Sequence, residues 1–175
     1  MRDRSAPIDG DPSVSAWNRT PPANAPTLAR AMCRLFGFHS RVTSDVKRSL
    51  LLEANALHEQ SLKHPDGWGI AWYEHGLPKL HRSTAQAHGD KEFTRVVSEV
   101  ASHTVLAHVR RASVGRLTEH NSHPFVRDAW SFMHNGTVTD FDLVRDELEG
   151  AIDPAFRAGI TGDTDSERLF GVFLT

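Results

Sequence analysis

The stretch Met32-Cys33-Arg34-Leu35-Phe36-Gly37-Phe38 places the one cysteine of the chain directly after a methionine. Initiator methionine is trimmed when the next side chain is small, and cysteine qualifies. A chain starting at Cys33 carries a thiol and a free α-amine on one residue, so nucleophile and general base come as a unit. Met32 is not residue 1, because thirty-one residues precede it. While they stay attached, that amine is an amide with no basicity.

Residues 1–31 are rich in Pro, Ala, Ser, Asn, Asp and Arg and lack a helical or strand period, so they read as disordered. They contain no apolar run of signal-peptide type. Asp3, Asp9 and Asp11 argue against a transit peptide. Two origins fit, a start assigned too early or a leader removed later, and we favour the first.

Beyond Cys33 the texture changes. Arg34–His39 reads as a strand. Ser44 caps a helix expected over 45–62, with Val46, Leu50, Ala54 and Leu57 on one stripe. His64-Pro65-Asp66-Gly67-Trp68-Gly69 is a loop. Gly69–Tyr73 and Lys79–Arg82 flank His75-Gly76 as a hairpin. Asp90 caps a helix with Phe93, Val96, Val97 and Val100 inward. Thr104–Val109 is a buried strand ending at Arg110-Arg111, and a long loop runs on through Pro124. Ala129–Met133 is a further strand, halted by Asn135-Gly136. Thr139–Glu149 is amphipathic, with Gly150 placed to stop it. Thr164-Asp165-Ser166-Glu167 has a capping-box pattern opening a last helix. That helix meets the chain end without a stop signal, so sequence is expected to be missing after Thr175.

With 175 residues the chain is about one domain long. Its formal charge of −2 gives no support to binding nucleic acid or a membrane surface. No stretch is apolar enough to span a bilayer. A single cysteine makes no internal disulfide, and a reactive thiol is safest in the cytoplasm, which is the expected location. Eleven histidines raise the question of metal. His120 and His123 are three apart, with His108 and His134 elsewhere, but no HExxH, cysteine pair or dense Asp/His cluster accompanies them. Neither a metal nor a cofactor is expected.

Five features in order, Cys33, Asp66-Gly67-Trp68-Gly69, His108-Val109-Arg110, Asn135-Gly136 and Asp165, together resemble the class II glutamine amidotransferases. Asn121-Ser122-His123-Pro124-Phe125 and His134-Asn135-Gly136 are similar to a stand-alone bacterial branch of that family. The resemblance covers residues 32–175. It implies an N-terminal-nucleophile hydrolase fold: an α+β, four-layer αββα sandwich of two antiparallel sheets with helices on both outer faces, incomplete at its C-terminus. The domain would be 32–175 and the leader 1–31. If that is the whole product, edge strands and apolar faces would meet water and stability would suffer.

The resemblance also implies roles. Cys33 sulfur would attack the glutamine amide carbon. An α-amine with a pKa of about 7.7–8.0 would take the proton and return it to departing ammonia, leaving a γ-glutamyl thioester for water. Taken alone, Cys33 also reads as a small buried hydrophobe. Asn135 and Gly136 would donate to the oxyanion, although Asn-Gly is equally a common hairpin turn. Arg110 would hold the substrate carboxylate through two parallel hydrogen bonds. Either Arg110 or Arg111 also reads as the strand's exit into water. Asp165 would hold the substrate ammonium, or serve only the dipole of its helix. The Asp66–Gly69 loop would lie beside the site without an individual role. Thr137 stands where some amide-synthesising relatives have an acidic residue.

The expected partners are glutamine or a γ-glutamyl amide, and a separate ammonia-accepting synthase. Two alternatives stand beside glutaminase chemistry: γ-glutamyl amide hydrolysis in small-metabolite biosynthesis, and a catalytically silent binding module if the leader is retained.

Overall fold

The computed structural model of the chain describes residues 33–112 and 115–175. The expectations for residues 1–31 lie outside this range.

Strand β1 (Arg34–Asp45) is followed by a wide helical turn at Arg48–Leu52 and a short helix α1 (Leu57–Gln60). The hairpin β2 (Trp68–Glu74) and β3 (Leu77–Ser83) comes next, then α2 (Lys91–Glu99) and β4 (Ala101–Val109). A second hairpin is built from β5 (Phe125–Arg127) and β6 (Trp130–Phe132). Helices α3 (Phe141–Ala151), α4 (Pro154–Arg157) and α5 (Asp165–Leu174) complete the described chain.

Four strands form one antiparallel sheet in the order β1-β4-β2-β3. Period-two alternation gives this sheet two different faces. On one face Trp68 and Ile70 of β2 and Val105, Ala107 and Val109 of β4 pack with Leu50, Leu57, Phe93, Val96 and Val97. Burying side chains of this size is worth about 1.5–3 kcal/mol each, which fixes the sheet's inward face. Asp90 locks α2 to it: one carboxylate oxygen accepts the Glu92 N–H at 2.8 Å as a helix cap, and the other accepts the Trp68 indole N–H at 2.8 Å.

The opposite face carries Gly69, Tyr73 and His108, and the β5–β6 hairpin lies on it. The Tyr73 hydroxyl sits 2.8 Å from Ser131 Oγ and donates to the Ala129 carbonyl at 3.1 Å. Gly69 is required here, because a Cβ would stand 2.1 Å from the His123 carbonyl oxygen. Outside the hairpin, Phe170 of α5 stacks on Phe132 with ring centroids 5.3 Å apart. Arg168 of α5 binds Glu149 of α3 at 2.9 Å. The layers are therefore helix, sheet, sheet, helix, as the family resemblance implied.

Several local expectations hold. His75 and Gly76 take φ of 52° and 80°, as a two-residue hairpin turn requires. Asp90 caps α2. Thr164 Oγ1 accepts the Glu167 N–H at 3.3 Å, one half of the capping box.

Other expectations are corrected. The helix over 45–62 is broken, because Glu53 and Ala56 are extended. Two short turns bury Leu50, Ala56 and Leu57 and leave Ala54 exposed, so burial is met without a continuous stripe. The strand expected at Arg34–His39 runs on to Asp45 past an irregularity between His39 and Ser44. Strand β5 was not anticipated. Gly150 does not stop α3, which ends when Ile152 turns extended and buries. Glu167 does not return to Thr164. Its carboxylate accepts the N–H groups of Thr161 and Gly162 at 2.9 and 2.7 Å.

Candidate active site

The register of the large sheet sets the site. Arg34 and Trp68 both pair with Val109, so Cys33, Gly67 and Arg110 follow one another at the same end of three adjacent strands. The pairing continues past the strand ends: Arg110 N–H donates to Gly67 O at 2.8 Å, and Asp66 N–H donates to Arg110 O at 3.1 Å. The Asp66 carboxylate then accepts the Ala112 N–H at 2.8 Å. That gives the Asp66–Gly69 loop a positioning task which its sequence did not disclose.

One small cavity of about 30 Å³, partly open to solvent, is lined by Cys33, Arg110, Gly136 and Asp165. Asn135 is beside it, with its side-chain amide donating to the Cys33 carbonyl at 2.9 Å. All five residues singled out from sequence thus gather at one place, though they span more than 130 positions. Arg111, Asn121, His123, His134, Thr164 and Ser166 also contribute to the wall.

Among the described residues, the Cys33 sulfur bonds only the Arg111 backbone. It accepts the Arg111 N–H at 3.2 Å and donates to the Arg111 carbonyl at 3.3 Å. Burial pushes the thiol up from its ordinary value, outweighing that N–H and the Arg110 charge, which both pull it down. The thiol is therefore protonated at neutral pH while residue 33 is inside the chain. Among the described residues no side chain is hydrogen-bonded to the sulfur to accept its proton.

Arg110 is buried and falls on the His108 face of the sheet, toward the second sheet and the cavity. Its guanidinium donates to Arg116 O at 3.1 Å and Gly115 O at 3.4 Å. Arg111 is exposed and reaches Lys63 O at 3.2 Å. Alternation of faces separates the two arginines.

Asp165 is buried at the first turn of α5. One oxygen accepts the Ser166 N–H at 2.8 Å and the other the Val138 N–H at 2.7 Å. It thereby ties the segment after Gly136 to the helix start. A carboxylate has about four acceptor sites, so capacity for an ammonium remains.

Asn135-Gly136 is not a tight hairpin turn. Neither residue has positive φ and no strand follows directly. A Cβ at Gly136 would lie 2.6 Å from His134 Nε2, so a larger residue would push that ring aside. The other nitrogen of that ring lies 3.0 Å from Ser166 Oγ.

Sequence reasoning gave no role to Asn121 or His123. Asn121 donates to Arg116 O at 2.8 Å and to the Asp163 carboxylate, and accepts the Asp163 N–H at 2.9 Å. It joins the loop after β4 to the segment before α5, closing the cavity wall. His123 is buried against His108, with ring centroids 4.6 Å apart. Burial holds His123 well below its ordinary value and brings His108 down to about 3. The signal for both is the Asn-Ser-His-Pro-Phe run, which carries the resemblance to the stand-alone branch but assigns neither residue a role.

A half-buried thiol at a strand end, an arginine and a carboxylate lining one cavity, and two sheets enclosed by helices make up an architecture of the N-terminal-nucleophile type. The chain belongs to the class-II glutamine amidotransferase family, whose pattern it matches over residues 32–175. It is 30% identical over 161 residues to a probable glutamine amidotransferase of Saccharomyces cerevisiae, covering 82% of this chain and 45% of that protein. It is 34% identical over 116 residues to a gamma-glutamyl-hercynylcysteine sulfoxide hydrolase of Mycobacterium tuberculosis, covering 61% and 50%. A solved glutamine aminotransferase class-II domain protein from Silicibacter pomeroyi superposes with a TM-score of 0.53 at 35% identity, covering 62% and 46% of the two chains. The chain spans about half the length of the curated relatives it matches. No helix among the described residues is long and apolar enough to cross a membrane.

Proposed function

We propose that this chain carries a glutaminase-type amidohydrolase site in which Cys33, once it is the first residue, is the nucleophile. The observation that carries the reading is the meeting of Cys33, Arg110, Gly136 and Asp165 in one cavity within a chain of this family. Sulfur attacks the carboxamide carbon and its proton passes to the α-amine. The tetrahedral oxyanion is held by the Gly136 N–H and the Asn135 side-chain amide, one of whose two N–H groups is engaged by the Cys33 carbonyl. On collapse the C–N bond breaks, the amine's proton goes to ammonia, and a γ-glutamyl thioester remains. Water then hydrolyses it. Arg110 and Asp165 hold the two charges at the amino-acid end of the substrate.

The need for the α-amine follows from the thiol's surroundings. Burial keeps it protonated, and its described partners are backbone groups that take no proton. A general base contributes about 10²–10⁴-fold, so a chain blocked at residue 33 would bind substrate and turn it over poorly.

A second reading is favoured by one feature. An open cleft lined by Arg34, Lys63, His64, Asn55, Gln60 and Glu59 adjoins the start of β1. Arg34, Arg111 and Lys63 lie close enough to His64 that their charges add to burial in lowering its pKa. Space with this positive charge beside the nucleophile suits an amide whose leaving amine is larger than ammonia and carries an anionic group.

The test is turnover by a chain beginning at Cys33, with glutamine compared against a γ-glutamyl dipeptide. Cys33→Ala and Cys33→Ser are expected to abolish both reactions, and unchanged activity in either would end the proposal. A higher kcat/KM for the dipeptide supports the second reading, and a higher value for glutamine supports the first.

A further inference from the structure

Away from the cysteine, α1 and the loop before α2 bring two imidazoles and a carboxylate together. His58, Glu59 and His88 each offer one ligand atom, and these atoms lie within 4.8 Å of one another. His58 Nδ1 is 3.0 Å from Glu59 Oε1, and His88 Nε2 is 3.9 Å from the same oxygen. The two imidazole centroids are 4.6 Å apart. This is the one three-donor cluster among the described residues, and none of the histidines considered from sequence belongs to it.

The backbone beneath these residues is braced. Ser61 is fully buried, and its hydroxyl donates to His58 O at 2.7 Å and accepts the His88 N–H at 2.7 Å. Its carbonyl accepts the Gln86 side-chain amide at 2.9 Å. One serine therefore couples the two histidine-bearing segments. The His58 ring also stacks on Phe93, centroids 6.3 Å apart, which restricts its rotation. These contacts hold the backbone beneath both histidines, while His58 Nε2 accepts the Gly89 N–H at a long 3.4 Å, a contact that ligation through Nδ1 gives up.

We propose that His58, Glu59 and His88 form a binding site for a borderline transition-metal dication such as Zn²⁺, clamping α1 to the segment that leads into α2. Two imidazoles with one carboxylate suit zinc, and disfavour calcium and magnesium, which take all-oxygen sets. Metal–ligand bonds of about 2.0–2.1 Å place tetrahedral donors roughly 3.3 Å apart. Two of the three separations stand near that value, and side-chain rotation at the exposed Glu59 and His88 closes the rest. Water completes the coordination. His88 follows Glu59 and His58 by 29 and 30 positions and the set matches no ligand-spacing motif, so only the fold reveals it.

The test is titration of the full chain with ZnCl₂ by calorimetry, and with CoCl₂ by visible absorption, in a Cys33→Ser background so that the thiol takes no metal. One equivalent of Co²⁺ with tetrahedral d–d bands is expected, and Zn²⁺ should raise the melting temperature. His88→Ala and Glu59→Gln alter exposed side chains. Each should weaken binding by more than the 10–100-fold that loss of an outer-shell partner costs, and remove the thermal shift. His75→Ala, on the hairpin turn, should leave both unchanged. No saturable binding in the parent, or equal binding in His88→Ala and the parent, overturns the proposal.

Discussion

Lowering the pH from 7.5 to 5 acts on His108 through its burial between the two sheets. The side chain is fully inaccessible, neither ring nitrogen has a described hydrogen-bond partner, and the nearby charges, Arg110 and protonated His64, are positive. Its folded value falls to about 3, against 6.5 in the unfolded chain. A depressed histidine lets the unfolded state bind more protons, so its contribution is complete above pH 6.5 and is lost as pH falls toward 3. At pH 5 the unfolded histidine is almost fully protonated and the folded one is not. Linkage at about 1.36 kcal/mol per pH unit then gives a loss of about 2 kcal/mol. His123, buried against it and depressed in the same direction, adds to the loss. Urea unfolding at both pH values would measure it, with His108→Gln and His108→Leu removing the titration. The parent is expected to lose about 2 kcal/mol more than either variant between pH 7.5 and 5. Identical pH dependence in parent and variants would refute the argument that His108 is held neutral by burial.

Three further outcomes follow from the contacts. Gly69→Ala forces a Cβ to 2.1 Å from the His123 carbonyl and should destabilise by at least the roughly 1–3 kcal/mol of an overpacked core, measured by urea midpoint. Asp165→Asn turns one of two acceptor oxygens into a donor facing a backbone N–H. It should cost about 1–3 kcal/mol of stability and raise KM for glutamine more than it lowers kcat. Gly136→Ala drives a methyl into the His134 ring and should lower kcat by less than the roughly 10²-fold of a deleted oxyanion donor, because the backbone N–H remains, while thermal unfolding changes little.

The sequence disclosed those parts of the fold where local chemistry and tertiary packing agree. The His75-Gly76 turn, the Asp90 cap and the apolar run into Val109 each satisfy a local rule that the fold also uses. The helix over 45–62 failed because its stripe was read at one period, whereas burial of Ala56 and Leu57 reset the phase at Glu53. Strand β5 was missed because Phe125–Arg127 is three residues long, below the length at which alternation is visible. Gly150 was over-read, since a glycine stops a helix only when its backbone turns left-handed, and this one does not.

The site was legible through residue types and order, not through geometry. Cys33, Arg110, Asn135, Gly136 and Asp165 could be named because their chemistry is specific as a set. The roles of Asn121, Asp66 and Ser166 were hidden, because each works by a hydrogen bond to a segment far away in sequence. Strand alternation puts Arg110 and Arg111 on opposite faces, and the choice between them comes from the family resemblance; in the structure Arg110 is the buried one.

The central claim concerns the nitrogen of residue 33. The most direct test compares turnover of glutamine by two otherwise identical proteins, one released by a site-specific protease so that Cys33 is first, the other retaining Met32. Thiol titration confirms that both present the same sulfur. We expect kcat to fall by about 10²–10⁴-fold when the methionine remains, with substrate affinity preserved. Equal turnover by the two proteins would contradict the account and assign the proton to another group.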